Sequence, residues 1–237
     1  MIKKAILLAA GFGTRLRPLT LTTPKPLLPL DGELLIDHQL HYLKKYGITE
    51  VAINLHHLGD MIREHVGDGS KYGITIHYSI EQKILGTGGG VKKAGSFFKE
   101  EPLLALNSDA LIETDLSDLV DYHTRNNFSA TMVLKKLPPD SNYTPIDVSD
   151  DKTIKGFEKG EYHYTGLQIV GPELLNEFPP AGIEACLIQD GYKKLIEKGA
   201  RVGAYLYDDY WNDLGTPESY DQAKSDISNG KFQLIKG

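Results

Sequence analysis

The sequence predicts an α/β protein, a three-layer sandwich in which helices cover both faces of a mixed, mainly parallel central sheet. Short apolar runs rich in β-branched residues alternate along the chain with segments of helical period, as expected when helices cover a sheet. The chain has 237 residues, 41% of them hydrophobic, which suffices for one sizeable core but is short for two. No repeat pattern marks a β-helix extension, so we expect a single domain over residues 1–237 without a C-terminal β-helix.

Six short apolar segments bounded by turn residues are predicted to be strands. They are Lys4–Ala9, Val51–Leu55, Ile74–Tyr78, Leu103–Leu106, Thr131–Leu134 and Tyr164–Val170. The polar, proline-containing stretch Leu137–Asp151 is expected to leave the core, either to border a substrate pocket or as a plain surface loop.

Helices are predicted between these strands from apolar spacing and from capping residues. Ile36, Leu40 and Leu43 share one helical face, and Gly47 follows them as a C-cap. The last helix begins with Thr216 as N-cap and a proline in its first turn. The other predicted helices, with the last, are Asp60–Val66, Leu116–Asn126, Leu187–Lys198 and Pro217–Ser228.

Composition argues against several classes of partner. The net charge is −6 and no block of Lys or Arg occurs, so no nucleic-acid partner is expected. No apolar segment is long enough to cross a bilayer, so no membrane partner is expected. Cys186 is the only cysteine and is expected to be a buried bystander. These features favour a cytoplasmic protein, and a homo-oligomer stays open.

A glycine turn and three cations follow the first predicted strand. The turn contains Gly11 and Gly13, where backbone N–H groups can approach a phosphate at the carboxyl end of a strand. It lacks the third glycine of the dinucleotide fingerprint and the Gly-Lys-Ser/Thr of a P-loop. Arg15, Arg17 and Lys25 follow, and the prolines on either side of Lys25 are expected to hold it in a set direction.

The run from Leu8 to Pro26 resembles the signature of the sugar-1-phosphate nucleotidyltransferase family, and a second family motif is similar to the segment Trp211–Tyr220. This resemblance implies a Rossmann-like nucleotidyltransferase fold. It also implies that a nucleoside triphosphate and a sugar-1-phosphate bind, and that a nucleotide sugar and pyrophosphate are formed.

That reaction calls for cations and a metal more than for a general base. The attacking sugar phosphate oxygen is already anionic, because the second phosphate pKa is about 6. Mg²⁺ takes one or two protein carboxylates and completes its shell with phosphate and water. Asp109 follows an apolar run, which places it at the end of a strand. By resemblance, Asp109 and Asp213 are the two Mg²⁺ ligands.

The resemblance assigns the remaining site residues as well. Arg15 would grip the departing pyrophosphate, and Lys25 would face phosphate near the reacting centre. Glu158 and Lys159 resemble a Glu-Lys-Pro motif for the sugar and its phosphate, although Gly160 replaces the proline. Nucleotide contacts are expected from Ala10, Gly11, Gly13, Thr14, Arg15, Glu81 (with Gln82 as the alternative), Gly86 and Thr87; sugar-phosphate contacts are expected from Asn107, Glu158, Lys159, Thr165 and Gly166.

A run of three glycines and two pairs of histidines form two further patterns in the sequence. The three glycines Gly88 to Gly90 are a poor helix start, so a close ligand is the preferred explanation for them. The histidine pairs His38/His41 and His56/His57 have metal-ligand spacing, but no third ligand joins them in a zinc pattern, so they are interpreted as structural.

The sequence alone leaves the substrates open. Central segments most resemble N-acetylmuramate-1-phosphate uridylyltransferases of cell-wall recycling, which predicts UTP with N-acetylmuramate-1-phosphate. Mannose-1-phosphate guanylyl transfer, choline-phosphate cytidylyl transfer and a non-catalytic nucleotide-sugar sensor are the alternatives. A metal-dependent glycosyltransferase would want an Asp-x-Asp pair where Asn107 stands.

Overall fold

The computed structural model describes residues 1–98 and 101–236 of the chain. Its strands are β1 (Lys4–Leu8), β2 (Pro29–Leu30), β3 (Glu33–Leu34), β4 (Glu50–Leu55), β5 (Thr75–Ile80), β6 (Leu103–Asn107), β7 (Ala110–Ile112), β8 (Ala130–Lys136), β9 (Asp147–Val148), β10 (Ile154–Gly156), β11 (Tyr162–Val170), β12 (Val202–Leu206) and β13 (Trp211–Asp213).

The α-helices are α1 (Leu35–Lys45), α2 (Gly59–Val66), α3 (Gly86–Gly95), α4 (Leu116–Arg125), α5 (Pro172–Glu177), α6 (Lys193–Glu197) and α7 (Pro217–Ser228). A π-helical segment, Leu187–Tyr192, runs directly into α6. Single 3₁₀ turns lie at Thr14–Leu16, Leu19–Leu21, Lys25–Leu27 and Ser70–Tyr72. Among residues 1–98 and 101–236, no helix combines the length and the apolar character needed to traverse a bilayer.

Seven strands form the central sheet, in the order β12-β8-β11-β6-β1-β4-β5. Strand β11 is antiparallel to both of its neighbours, and every other pair in this sheet is parallel. The sheet is therefore mixed and mainly parallel, as predicted. The carboxyl ends of its parallel strands meet along one edge, where open α/β sheets bind ligands.

Residues that alternate along the central strands face two different helical layers. Ala5 and Leu7 of β1 pack in a core with α1, α2 and α4, whereas Ile6 packs in a second core with α3, α5 and α6. A third cluster joins α7 to the loops that follow β1. The layers confirm the three-layer sandwich, because each face of the sheet is covered by its own set of helices.

All six predicted strands and the five predicted helices form, with ends that differ by a few residues. The last helix begins as expected, because Thr216 accepts from Ser219 N and the Ser219 side chain bonds back in a capping box. The predicted helix Leu187–Lys198 forms as a π-helical first half that continues into α6. Two helices, α3 and α5, were not predicted, and neither were the seven strands β2, β3, β7, β9, β10, β12 and β13.

One buried histidine ties the C-terminal segment to α1. His38 is 2% exposed, and its Nδ1 accepts a hydrogen bond from Ile235 N at 3.0 Å. Burial lowers the pKa of His38 to about 4, from an ordinary value of 6.5. The ring is therefore neutral in the folded protein, and Nδ1 must stay unprotonated to accept this bond.

The free energy of unfolding is expected to fall as the pH drops through the window from 6.5 to about 4. In that window the unfolded chain takes up a proton that folded His38 does not, so the stabilisation is complete above 6.5 and is lost toward 4. A shift of this size corresponds to about 3 kcal/mol. Urea unfolding from pH 7 to pH 4 measures it, with His38→Asn as the comparison. Equal pH slopes in the two proteins would contradict the prediction.

Candidate active site

The segment that follows β1 turns sharply at the carboxyl edge of the sheet. Ala9 N donates to Oδ1 of the buried Asn54 at 2.7 Å, which holds the end of β1 against β4. Gly13 has a φ of +61°, and a Cβ at this position would lie 2.9 Å from Thr20 Cγ2. The turn therefore requires glycine.

This turn brings five of the predicted nucleotide residues to the sheet edge. Gly11, Gly13, Thr14 and Arg15 line one cavity together with Lys25, Asp109 and Gly215. Ala10 lies beside them and lines the neighbouring cavity.

Lys25 is held by its prolines and by an ion pair. Pro24 is extended, with φ −65° and ψ 142°, and Lys25 then begins a 3₁₀ turn. The Lys25 side chain is largely buried, and its Nζ lies 2.5 Å from Asp109 Oδ2. The expected fixed direction of Lys25 is confirmed, because the ammonium group lies inside the cavity and not in solvent.

The two predicted metal ligands are brought together by a short antiparallel ribbon. Asp109 immediately precedes β7, which pairs with β13 so that Asp213 lies opposite Ala110. Leu214 N also donates to the backbone oxygen of Asp109 at 2.9 Å. Residues more than a hundred positions apart in sequence thus become neighbours through backbone pairing alone.

The charges at this ribbon affect one another. Burial raises the pKa of Asp213, and the negative charge of Asp109 raises it further. Lys25, Arg15 and the Tyr143 hydroxyl act in the opposite direction. Two carboxylates that repel each other beside two cations form a site in which a bound cation would lower the electrostatic energy.

The side chains present fit a divalent cation that prefers oxygen ligands. Lys25 occupies Oδ2 of Asp109, and within residues 1–98 and 101–236 its Oδ1 accepts no hydrogen bond. The same part of the chain contains no group of three or more His, Cys, Asp or Glu side chains placed to hold a metal. The carboxylate oxygens of Asp109 and Asp213 are ligands of the kind that Mg²⁺ prefers, since it takes one or two protein carboxylates and completes its shell with phosphate and water.

A second cavity opens beside the first and shares Leu8, Gly11 and Asp109 with it. Its other lining residues include Ala10, Asn54, Glu81, Gly86, Thr87 and Asn107. Most of these were predicted to bind nucleotide, and the structure brings them together.

Glu81 lies in this second cavity, but its side chain is already engaged by the protein. It is 3% exposed, Asn54 Nδ2 donates to Oε1 at 2.8 Å and Leu85 N donates to Oε2 at 2.9 Å. Gln82 is exposed and does not line this cavity. Glu81 thus orders the wall of the cavity, and a direct contact from it to a base stays a prediction.

The glycine run is explained by packing inside the protein, which corrects the interpretation that a ligand approaches it. Gly88, Gly89 and Gly90 lie within α3 and are buried. A Cβ would lie 2.7 Å from Phe178 at Gly88, 2.6 Å from Ile183 O at Gly89 and 2.7 Å from Asn54 Nδ2 at Gly90. Only Gly86 and Thr87, at the start of the helix, border the cavity.

Thr165 and Gly166 lie at an irregularity in β11, next to Asn107. The pairing register with β8 shifts between Tyr164 and Gln168, and Gly166 has a φ of +95°. A Cβ on Gly166 would lie 3.0 Å from Asn107 Nδ2, so glycine permits the close approach of the two strands. The Thr165 hydroxyl donates to Val133 O at 2.8 Å. Their contact with a sugar stays a prediction.

Glu158 and Lys159 line a different cavity, of about 600 Å³, with Asp147, Lys155 and Lys193. Glu158 is exposed and pairs with Lys193 at 3.1 Å. Gly160 has a φ of +135°, and a Cβ there would lie 2.0 Å from Ile146 O. Proline cannot adopt this conformation, so the departure from the Glu-Lys-Pro motif changes the backbone after Lys159. The structure does not bring this pair into the cavity of Asp109.

Two residues of the site were missed by sequence reasoning. Asn54 is the last but one residue of β4 and connects Ala9 to Glu81; an asparagine near the end of a predicted parallel strand was the available signal. Tyr143 belongs to the stretch Leu137–Asp151, and its hydroxyl faces the Asp213 carboxylate, which together with burial raises the pKa of Tyr143. No local pattern distinguishes Tyr143 from a tyrosine in any loop.

Aromatic packing holds Tyr143 over this part of the site. Its ring stacks on His163 with centroids 4.6 Å apart and meets Trp211 edge-on at 5.7 Å. Trp211 Nε1 in turn donates to Thr165 O at 2.7 Å. The stretch Leu137–Asp151 therefore borders the site, which was one of its two predicted roles.

Cations, paired carboxylates and a glycine turn thus converge at the carboxyl edge of parallel strands. Such an arrangement of charges and backbone N–H groups suits polyphosphates. The family model described as nucleotidyl transferase matches residues 4–230. The chain belongs to this family of enzymes.

Several characterised proteins are similar to the chain. It is 33% identical to a UTP–glucose-1-phosphate uridylyltransferase of Synechocystis sp., over 98% of this chain and 65% of that protein. It is 31% identical to a mannose-1-phosphate guanylyltransferase of Mycobacterium tuberculosis, over 95% and 65%. It is 32% identical to a D-glycero-alpha-D-manno-heptose 1-phosphate guanylyltransferase of Campylobacter jejuni, over 92% and 96%. The chain thus spans about two thirds of the first two relatives and nearly all of the third.

The fold has a close counterpart among solved structures. HddC from Yersinia pseudotuberculosis superposes with a TM-score of 0.81 at 21% identity, over 95% of this chain and all of that chain. At this identity the likeness establishes the shared fold, and the chemistry must be argued from the site.

Proposed function

We propose that this chain transfers a nucleotidyl group from a nucleoside triphosphate to a sugar-1-phosphate. The single observation that carries the proposal is the ion pair between Lys25 and Asp109, which lines one cavity with Arg15 and lies close enough to Asp213 to affect its pKa. The three similar proteins support it, since each is named as a nucleotidyltransferase that acts on a sugar-1-phosphate.

The reaction is a displacement at phosphorus. An oxygen of the sugar phosphate forms a bond to the α-phosphorus of the triphosphate, and the bond from that phosphorus to the bridging oxygen breaks. Pyrophosphate leaves with the electron pair of the broken bond, and the attacking oxygen needs no base, because it is already anionic. The protein has to bring two polyanions together and neutralise the charge that accumulates.

The side chains of the first cavity suit these two tasks. The glycine turn offers backbone N–H groups to the triphosphate, and Arg15 offers a forked guanidinium for the departing pyrophosphate. Lys25, held by Asp109, keeps a positive charge at the junction of the two cavities. Asp109 and Asp213 would hold Mg²⁺, which when bound supplies positive charge to the reacting phosphates.

The second cavity is the proposed place of the nucleobase and ribose. Gly86, Thr87 and Ala10 offer backbone donors and acceptors there, and the network of Asn54 and Glu81 keeps the wall rigid. A uracil edge of carbonyls and one N–H suits backbone recognition of this kind, which supports UTP. N-acetylmuramate-1-phosphate is the sugar phosphate that we propose with it.

Guanylyl transfer is the second candidate. It is supported by the mannose-1-phosphate and heptose-1-phosphate guanylyltransferases among the similar proteins. Guanine has a larger ring and an exocyclic amine, so it needs more room and an acceptor. Both carboxylate oxygens of Glu81 already accept a hydrogen bond from the protein, so an amine of guanine would have to donate to one of them as a second partner.

A matrix of substrates tests the proposal. UTP, GTP, CTP and dTTP are each combined with N-acetylmuramate-1-phosphate, mannose-1-phosphate, glucose-1-phosphate, a heptose-1-phosphate and choline phosphate, and pyrophosphate release is followed with Mg²⁺. We expect the fastest release with UTP and N-acetylmuramate-1-phosphate. Faster release with GTP and a hexose or heptose phosphate would replace this pair and keep the reaction type. Release with none of them would favour a non-catalytic sensor and overturn the proposal.

A further inference from the structure

The guanidinium of Arg15 packs directly on the backbone of Gly215. A Cβ built on Gly215 would lie 2.6 Å from Arg15 Nη2, 3.0 Å from Cζ and 3.2 Å from Nη1. All three distances are shorter than an ordinary van der Waals contact, so a Cβ at this position would force Arg15 or the turn to move. The space that a side chain at position 215 would need is therefore occupied by the charged end of Arg15.

Gly215 belongs to the same turn that carries one of the proposed metal ligands. Gly215 N donates to Asp213 O at 2.7 Å, and Leu214 N donates to Asp109 O at 2.9 Å. These two bonds fix the turn to the backbone of both aspartates. Arg15 thus rests on a surface whose position is set by the carboxylate pair.

We infer that Gly215 is a positioning residue for Arg15. Because Gly215 has no side chain, Arg15, the proposed ligand of the triphosphate, can pack against the turn that is bonded to the backbone of Asp109 and Asp213. This inference rests on the proposed function, since it names how one part of that site is held in place. With the guanidinium against the turn, its donors stay in the cavity that Asp109 and Lys25 also line.

A side chain at position 215 is expected to displace Arg15 and to leave the turn in place. The backbone of Gly215 is outside the left-handed region, so alanine suits its conformation. The turn is held by two backbone hydrogen bonds, whereas Arg15 is exposed and can swing toward solvent. The added methyl group is therefore expected to move the Arg15 side chain and not the turn.

The test is a double-mutant cycle with Gly215→Ala and Arg15→Ala. In the parent enzyme, Gly215→Ala is expected to lower kcat/KM for the triphosphate about tenfold or more, with KM for the sugar phosphate unchanged. In the Arg15→Ala enzyme, Gly215→Ala is expected to have less than about a twofold effect, because the guanidinium that it would displace is absent. The effects of two coupled substitutions do not add.

Two further measurements separate positioning from damage to the fold. Thermal unfolding of Gly215→Ala is expected within about 2 °C of the parent, because the added methyl group would displace only the exposed end of Arg15. Binding of the triphosphate and Mg²⁺ in the absence of sugar phosphate, measured by calorimetry, is expected to weaken in Gly215→Ala and in Arg15→Ala alike.

The outcomes distinguish the inference from the proposed function. If the parent binds and turns over the triphosphate but the two substitutions multiply their effects, Gly215 acts by another route and the inference is overturned. Normal kinetics in Gly215→Ala would overturn it as well. If the parent neither binds nor turns over any triphosphate, the proposed function itself has failed.

Discussion

Asp109→Asn and Asp213→Asn are each expected to lower kcat by about 100-fold or more, because Mg²⁺ held by these two residues would supply several kcal/mol of charge stabilisation. The pairing of β7 with β13 makes the two residues neighbours, because Asp213 lies opposite Ala110. Asparagine preserves the shape of each side chain but removes the negative charge that would hold Mg²⁺. Initial rates at saturating substrates, across a titration of MgCl₂, measure the effect.

Asp121→Asn is a matched control for this experiment. Asp121 lies exposed on α4 and pairs with Arg125 at 2.9 Å, away from both cavities. Its replacement is expected to leave kcat unchanged within about twofold, as for other exposed ion pairs. Near-normal turnover of Asp109→Asn or Asp213→Asn at matched Mg²⁺ would remove that residue from the proposed metal site.

Arg15→Ala and Lys159→Ala are expected to impair the two substrates separately. Arg15 lies in the cavity of the glycine turn, so its loss should lower kcat/KM for the triphosphate by about 100-fold, as for a lost charge-assisted contact. Lys159 lines the separate cavity of about 600 Å³ and is predicted to bind the sugar phosphate, so its loss should raise KM for the sugar phosphate about tenfold. Both KM values are measured in both variants.

Arg125→Ala serves as the control for loss of an exposed arginine, since Arg125 donates to Asp121 on the surface of α4. A reversed pattern, in which Arg15→Ala raises KM for the sugar phosphate alone, would exchange the proposed positions of the two substrates. An unchanged KM for the sugar phosphate in Lys159→Ala would remove Lys159 from the predicted sugar-phosphate contacts.

Features set by local chemistry were predictable from the sequence. The apolar runs of β1, β4 and β6 are short and bounded by turn residues, so each is predicted to be a buried strand. Thr216 and Pro217 specify the start of α7, because the capping hydrogen bonds span only a few residues. The prolines around Lys25 act within one turn of chain. Each of these signals lies within about ten residues of its effect.

Features that depend on distant partners were not predictable. Strand β12 contains Gly203, which weakens its pattern; in the fold this glycine makes room for Phe128, whose Cδ2 would lie 2.4 Å from an added Cβ. The sequence pattern of the glycines in α3 suggests a close ligand, whereas in the fold Phe178, Ile183 and Asn54 pack against them. Propensity disfavours this helix, and tertiary packing overrides propensity.

The site divides in the same way. The sequence by itself determined which residue types are available, because Arg15, Lys25, Asp109 and Asp213 lie in recognisable motifs. Only the tertiary structure decided which of them meet. Pairing of β7 with β13 joins Asp109 to Asp213, and the positive φ of Gly160 accompanies the placement of Lys159 in a separate cavity. The physical reason is that motifs act over a few residues, whereas a site is assembled by backbone pairing and packing between segments far apart in the chain.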